Sequence, residues 1–309
     1  MTPEQFQSAL DHSSQGHETV VAGAAVRYRR WQKIGAPGVL LVHGHAAHSQ
    51  WWDHIGPALH DRFDVTAIDL TGAGDSDHRD YYTPALFAAE LVAVSQSVGY
   101  QSPIIVGHSF GGTLSRIACW LYPNWAGQLI LVDSVIAPPK RSSDAKGKDP
   151  IKPVSAKRPP KPPRYYDSLE KAVTRFRLRP RQPSRHPHIV AHIAARSIRK
   201  TPRGYTYKLD RGLFDKLLTS VTLPPAATML AELAIPKSAI IGDLSYFFDT
   251  STELGRDNRA QLYQLLPDAH IQVIPEAFHH VPLDQPLAFI DALWRAFGSR
   301  AHNLDAEDR

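Results

Sequence analysis

The stretch Ile104-Ile-Val-Gly107-His108-Ser109-Phe110-Gly111-Gly112 decides how this chain is read. Three β-branched residues of buried-strand character run into a serine flanked at two positions on either side by glycine. An apolar helical pattern, Phe110 to Tyr122, follows at once. A side chain held on so tight a strand-to-helix turn needs neighbours without bulk, because the backbones there nearly touch. The helix would also direct backbone N–H groups and its positive dipole end at an oxygen that becomes negative. A turn of small residues with an incidental serine has the same bare spacing; the strand before it and the helix after it favour an activated nucleophile, Ser109.

On either side of it, short apolar runs at Val39 to Val42, Phe63 to Ile68, Ile104 to Val106 and Leu129 to Val132 alternate with helical patterns at Gln50 to Leu59, Pro84 to Val98 and Phe110 to Tyr122. Such alternation predicts βαβ crossovers and a parallel sheet. An extended strand, Ala24 to Gln32, precedes them and ends in a Gly-Ala-Pro-Gly turn. The alternation resumes with a strand at Ser238 to Ile241, a helix near Asp257 to Leu266, a strand at Ile271 to Ile274 and a helix from Gln285 to Phe297. The last dozen residues, from Gly298, are polar and expected to fray.

The middle of the chain is different. Ser134 to Pro236 holds 22 Lys and Arg against 7 Asp and Glu, whereas the rest holds 13 against 23, so the net charge of +5 is segmental. Pro138 to Pro163 contains 8 prolines among mostly Lys, Arg, Ser and Asp. That composition cannot bury enough apolar surface to offset the entropy of ordering, so an exposed, mobile loop is expected there. Helical patterns follow at Leu169 to Arg175, Ile189 to Ile198 and Leu213 to Leu218. The chain therefore divides into 1–133 with 237–309, and an inserted basic unit, 134–236.

With 309 residues and one cysteine, Cys119, a disulfide-stapled module is excluded and no cysteine set for a metal exists. The first 23 residues lack a basic-then-apolar leader pattern, and no apolar run is long enough to span a membrane. A cytoplasmic protein is expected. The basic stretch Lys140 to Arg164 invites a nucleic-acid reading, but its prolines and the lack of a binding module weigh against that partner. Nothing fixes an oligomeric state.

A nucleophilic serine needs a base and two oxyanion donors. His279, in Pro275-Glu-Ala-Phe-His279-His280-Val-Pro-Leu-Asp284 after a strand, is the preferred base, with His280 second. The backbone N–H groups of His45 and Phe110 are the expected oxyanion donors. His43, just before Gly44, is read as a loop-fixing histidine. A metal at His45 and His48 lacks partners at ligand spacing. Asp69 to Ser76 resembles a phosphate loop only loosely and is read as a sharp turn.

In this order His43-Gly44, Asp69 to Ser76, Gly107 to Gly112 and His279 to Pro286 resemble the α/β-hydrolase family, over residues 20 to 297 or so. The resemblance implies an eight-stranded, mostly parallel α/β sheet flanked by helices, a Ser-His-acid triad and a mainly helical cap inserted after the sixth strand, Leu129 to Val132. Many family members carry the acid after the strand matching Ser238 to Ile241. Here that stretch reads Gly242-Asp243-Leu244-Ser245-Tyr246, and the two usual positions, Ser245 and Tyr246, lack a carboxylate. Other members place the acid after the sixth strand, where Asp133 stands. Asp133 is therefore preferred, with Asp243 and Asp249 as alternatives.

The resulting expectation is a serine hydrolase that cleaves a carboxylic ester or related acyl bond in a small molecule, without cofactor or metal. Resembling haloalkane and epoxide hydrolases attack with aspartate, which disfavours them. Alternatives are a C–C bond hydrolase acting beside a carbonyl, or a non-catalytic binder on the same scaffold. His108, where resembling C–C hydrolases often have asparagine, favours ester cleavage. In the insertion, Arg177 or Lys208 could hold an anionic substrate group; a solvated basic surface is the plainer reading, because long cationic side chains are mostly exposed.

Overall fold

The computed structural model describes residues 1–136, 162–218 and 223–298. The loop expected at 138–163 lies, save its last two residues, outside them, as does the C-terminal end beyond Gly298.

The chain opens with α1 (Pro3–Asp11), set by a capping box in which Thr2 and Gln5 satisfy each other's backbone N–H groups. Strands β1 (Gln15–Val21) and β2 (Ala24–Trp31) form an antiparallel hairpin. β1 is an exposed, polar edge strand without a periodic apolar signal, whereas α1 buries Phe6 and packs Leu10 beside it. Then follow β3 (Gly38–Val42), α2 (Gly56–His60), β4 (Asp64–Ile68), α3 (Pro84–Ser97), β5 (Ile104–His108), α4 (Phe110–Leu121) and β6 (Gln128–Val132). The helix expected over Gln50 to Leu59 is broken into a 3-10 turn, Ser49–Trp52, and the short α2. Pro57 has no N–H to continue a ladder from the preceding turn, so the helix has to restart there.

Between β6 and β9 the described chain forms α5 (Leu169–Val173), α6 (Pro187–Arg196), the hairpin β7 (Ile198–Thr201) and β8 (Gly204–Tyr207), and α7 (Ala226–Glu232). The hairpin adds strand to a segment expected to be mainly helical. Leu213 to Leu218 is not the expected helix. It runs as turns into a parallel bridge between Leu217 and Tyr82, after Asp210 Oδ1 has accepted from Gly212 N at 2.9 Å and closed a turn. The chain ends with β9 (Lys237–Gly242), α8 (Glu253–Leu265), β10 (Ile271–Ile274), α9 (Val281–Asp284) and α10 (Pro286–Phe297).

Eight strands form one sheet in the order β1-β2-β4-β3-β5-β6-β9-β10, parallel from β4 onward through β10. The inner strands are buried on both faces, which is why they read as continuous apolar runs. Leu40, Val42, Ile105 and Leu131 face one side with Phe87, Leu91 and Ile117; Val39, Leu41, Val106 and Val132 face the other with Trp52, Phe289 and Leu293. The period of two sends alternate residues into the two cores. The C-terminal ends of β3, β5, β6 and β9 thereby meet at one rim, where ligands bind in open α/β sheets. Among the described residues no helix is long and apolar enough to cross a membrane.

Candidate active site

Ser109 sits between β5 and α4 with φ +54° and ψ −120°, a conformation that side chains other than glycine rarely adopt. The turn is pinned from several sides. Ser109 N donates to Val132 O at 2.8 Å, Gly112 N donates to Ser109 O at 3.0 Å, and Ser134 Oγ donates to the same carbonyl at 2.8 Å. A Cβ on Gly107 would stand 2.6 Å from Gly112 Cα, and one on Gly111 would stand 2.4 Å from His43 O. Glycine at both positions is what lets the strand, the turn and β3 close around the serine.

His279, from the loop after β10, meets Ser109 across the rim: its Nε2 lies 2.9 Å from Ser109 Oγ. Its Nδ1 lies 2.7 Å from Asp133 Oδ1. With Nδ1–H donating to the carboxylate, Nε2 is left to accept the serine hydroxyl. Asp133 stands at the end of β6 with φ +45°, and its other oxygen accepts from Gly242 N at 2.9 Å. Ser245 Oγ donates to Asp133 Oδ1 at 2.5 Å. Asp133 and His279 are 1% and 3% exposed, so the pair is shielded from water and its electrostatics are strong. Serine, imidazole and carboxylate thus form one hydrogen-bonded line from three strand ends, an arrangement able to take a proton from Ser109 and to stabilise the imidazolium that results.

The family model described as "Alpha/beta hydrolase family" matches residues 39–292, which takes in every strand from β4 to β10 and all three of these residues. The chain belongs to the α/β-hydrolase family. It is similar to an uncharacterized protein of Mycobacterium tuberculosis, 34% identical over 110 residues, 35% of this chain and 32% of that protein. It is also similar to Epoxide hydrolase 4 of Mus musculus, 29% identical over 115 residues, 36% of this chain and 32% of that protein. The alignment thus spans about a third of the length of these curated relatives. Among solved structures, a thioesterase domain from the curacin biosynthetic pathway superposes with a TM-score of 0.69 at 19% identity, over 91% of this chain and 99% of that one. At that identity the likeness shows the fold.

The other sequence candidates of this α/β hydrolase fall elsewhere. Asp243 N donates to Ile274 O and its carboxylate makes no described contact with His279; Asp249 caps Ser251 N at 2.8 Å. His280 packs its ring edge-on against Trp51 at 5.1 Å and makes no bond to Ser109. Burial and the neighbouring His279 hold its pKa well below the ordinary imidazole value, so it stays neutral. His43 bridges Gly44 O through Nδ1 at 2.7 Å and receives Leu70 N on Nε2 at 3.1 Å, fixing the loop after β3. His48 bonds Ser197 Oγ at 2.9 Å, tying the rim to the inserted segment.

A cavity of about 280 Å³ opens over Ser109, walled by Trp51, Phe110, Pro180, Phe214 and Phe247. His45 and Phe110 line it, and among the described residues no loop or cap hydrogen bond uses the backbone N–H of either. The His45 ring packs tilted against Phe214, with ring centres 4.4 Å apart, and burial pushes its pKa down to about 4. His108, whose pKa burial holds down at about 3, bonds His279 O through Nε2 at 3.0 Å and so braces the His279 backbone. His108, His279 and His280 bring their ring nitrogens within 4.8 Å of one another. That cluster is a poor metal site, since both His279 nitrogens are already engaged by Ser109 and Asp133.

Asp69 accepts from Ser49 N at 2.6 Å and Asp75 N at 2.9 Å, and a Cβ on Gly74 would collide with its carboxylate, so the loop after β4 is built inward around Asp69. Two positioning residues escaped the sequence reading. Ser245 offers only a hydroxyl after a strand, and Asp284 looks like a helix-end carboxylate. Yet Asp284 accepts from Phe278 N at 2.9 Å, and from Gln182 Nε2 at 2.9 and 2.7 Å, bracing the loop that presents His279.

Proposed function

We propose that this chain is a serine hydrolase that cleaves a carboxylic ester or related acyl bond in a small molecule through an acyl-enzyme. The observation that carries the reading is the 2.9 Å approach of Ser109 Oγ to His279 Nε2, with the other imidazole nitrogen held by a buried carboxylate. His279 takes the Ser109 proton as Oγ attacks the carbonyl carbon, and the N–H groups of His45 and Phe110 receive the developing oxyanion. The tetrahedral species collapses as His279 passes the proton to the leaving group. Water, activated by the same imidazole, then releases the acid and regenerates Ser109. Every step uses the chain's own groups, without cofactor or metal.

Serine chemistry also separates this reading from the activity in the mouse relative's name. An alkoxide that opened an epoxide would leave Ser109 as an ether, with no carbonyl for water to attack. An acyl group leaves an ester, which water can cleave. In this reading residues 1–133 and 237–309 are the catalytic core and 134–236 the cap over it. Cys119, buried and alone, suits a cytoplasmic protein.

The test is labelling with a fluorophosphonate, which reacts preferentially with an activated serine. The protein should be labelled stoichiometrically at Ser109, and Ser109→Ala should lose both the label and the hydrolysis of 4-nitrophenyl acetate. A folded wild-type protein that refuses the label would favour a binding role on the same scaffold.

A further inference from the structure

A second cavity, of about 890 Å³, lies where the inserted segment meets the loops Ala46–His48 and Gly74–His78 at the rim. It adjoins the Ser109 cavity, sharing Ala47 and Arg179 with it. Seven arginines and two lysines line it, against one carboxylate, Asp210, among the described residues. Asp210 is already engaged by Lys216 Nζ at 2.8 Å and Tyr82 Oη at 2.7 Å. Lys208 is paired with Asp75 at 2.8 Å, and Arg177 donates to the carbonyls of Thr174 and Phe176. Lys208 and Arg177 are thus already engaged. Arg175, Arg179, Arg199 and Arg211 are exposed to the cavity, and no described carboxylate forms an ion pair with them.

Solvated surface charge is the plain explanation for exposed arginines, but it does not explain this distribution. Outside the insertion the chain is net acidic, and seven arginines and two lysines of the described residues gather in one concavity that adjoins the Ser109 cavity. Concave walls of one sign focus the field on what enters. The guanidinium fork fits phosphate oxygens two at a time, and several forks around one space suit several phosphates. Tyr165, Tyr166 and Tyr207 in the same wall offer aromatic faces beside the cations. The Ser109 cavity, by contrast, is small and walled by aromatic rings, which suits a short acyl group. Arg179 stands at the junction, close enough to His45 to depress that imidazole's pKa.

We propose that the substrate is a short-chain acyl ester or thioester whose leaving group carries several phosphates, held by Arg175, Arg179, Arg199 and Arg211. The inference rests on the acyl-transfer reading above and adds the substrate's class. The chemistry balances with water alone: the bond from Ser109 Oγ to the acyl carbon forms, the bond to the leaving oxygen or sulfur breaks, and His279 protonates that atom. Water then divides between the acid and the regenerated serine.

Two measurements on the full chain test it. Calorimetry should detect inorganic tripolyphosphate binding to the wild type, weakened about tenfold or more in an Arg175→Ala, Arg199→Ala, Arg211→Ala variant. A control with Lys33→Ala, Arg256→Ala and Arg295→Ala, which removes the same charge elsewhere, should bind like the wild type. No binding, or equal losses in both triple variants, overturns the proposal. In turnover, acetyl-coenzyme A should exceed S-acetyl-N-acetylcysteamine, which shares its acyl group and thioester but lacks the pantothenate arm, adenosine and phosphates, in kcat/KM by about tenfold or more, and the Arg175→Ala, Arg199→Ala, Arg211→Ala variant should lose that excess. Equal values overturn it. A short single-stranded DNA that binds more tightly than tripolyphosphate and is lost in the cavity variant also overturns it, in favour of a nucleic acid. Tripolyphosphate binding in the cavity without Ser109 labelling would keep the anion site and sink acyl transfer; labelling without cavity-dependent binding would do the reverse.

Discussion

Ser245 Oγ donates to Asp133 Oδ1 at 2.5 Å, on the same carboxylate oxygen that faces His279 Nδ1 at 2.7 Å. One of the positions at which related chains keep their acid therefore holds a donor to an acid supplied from the end of β6. The hydroxyl and Gly242 N hold the carboxylate in the orientation that faces His279. Asp133→Asn should lower kcat on 4-nitrophenyl acetate by about 10³- to 10⁴-fold, by presenting a donor where an acceptor is needed. Asp243→Asn should stay within about tenfold of the wild type, and Ser245→Ala should lose roughly tenfold by leaving the carboxylate less fixed. A wild-type Asp133→Asn beside an inactive Asp243→Asn would reverse the assignment.

The two adjacent histidines should separate sharply. His279→Ala removes the base and should lower kcat by about 10³-fold or more. His280→Ala removes a neutral ring packed on Trp51 and should cost less than about tenfold. Steady-state kinetics on the two purified variants reads the difference directly.

Glycine at the elbow is a packing requirement. Gly111→Ala would bring a methyl group to 2.4 Å from His43 O, where the backbone of β3 cannot yield. A stability loss of roughly 3 kcal/mol or failure to fold is expected. Gly16→Ala, with nothing within 4 Å of its new methyl group, should change stability by less than about 0.5 kcal/mol. Urea melts of both variants check the contrast.

Asp284 should make stability depend on pH in the direction opposite to an ordinary paired carboxylate. Burial raises its pKa to about 6, outweighing its bonds from Gln182 and Phe278. Between its unfolded value and that figure the native state holds more protons than the unfolded chain, so its contribution is present at low pH and is lost as pH rises through about 6. At about 1.4 kcal/mol per pKa unit, the effect is at most roughly 3 kcal/mol. Asp284→Asn should flatten the decline of Tm between about pH 4 and about pH 6. An unchanged slope would remove Asp284 from the account.

What the sequence disclosed follows from where the information is local. Strands such as Val39 to Val42 are buried on both faces, so their apolar runs are visible, and the turn at Ser109 is written in glycines that touch neighbouring backbone. Edge strand β1 is polar and exposed, so its partner β2, not its own pattern, makes it a strand. Leu213 to Leu218 has helix-like spacing, yet the bond from Asp210 to Gly212 and the bridge from Leu217 to Tyr82 override it. The roles of Ser245 and Asp284 depend on contacts across 112 and 102 residues of chain, which no local pattern records. The excess charge of the insertion was legible, but not that it collects in a cavity beside the nucleophile.

The central claim is that Ser109 becomes acylated. Intact-protein mass spectrometry during acid-quenched reaction with 4-nitrophenyl acetate measures this most directly. The account predicts an acetyl adduct on Ser109 that forms within the burst of nitrophenol release, decays with turnover and is absent from Ser109→Ala. Sustained turnover with no adduct at any time point, or an unchanged rate in Ser109→Ala, would contradict it.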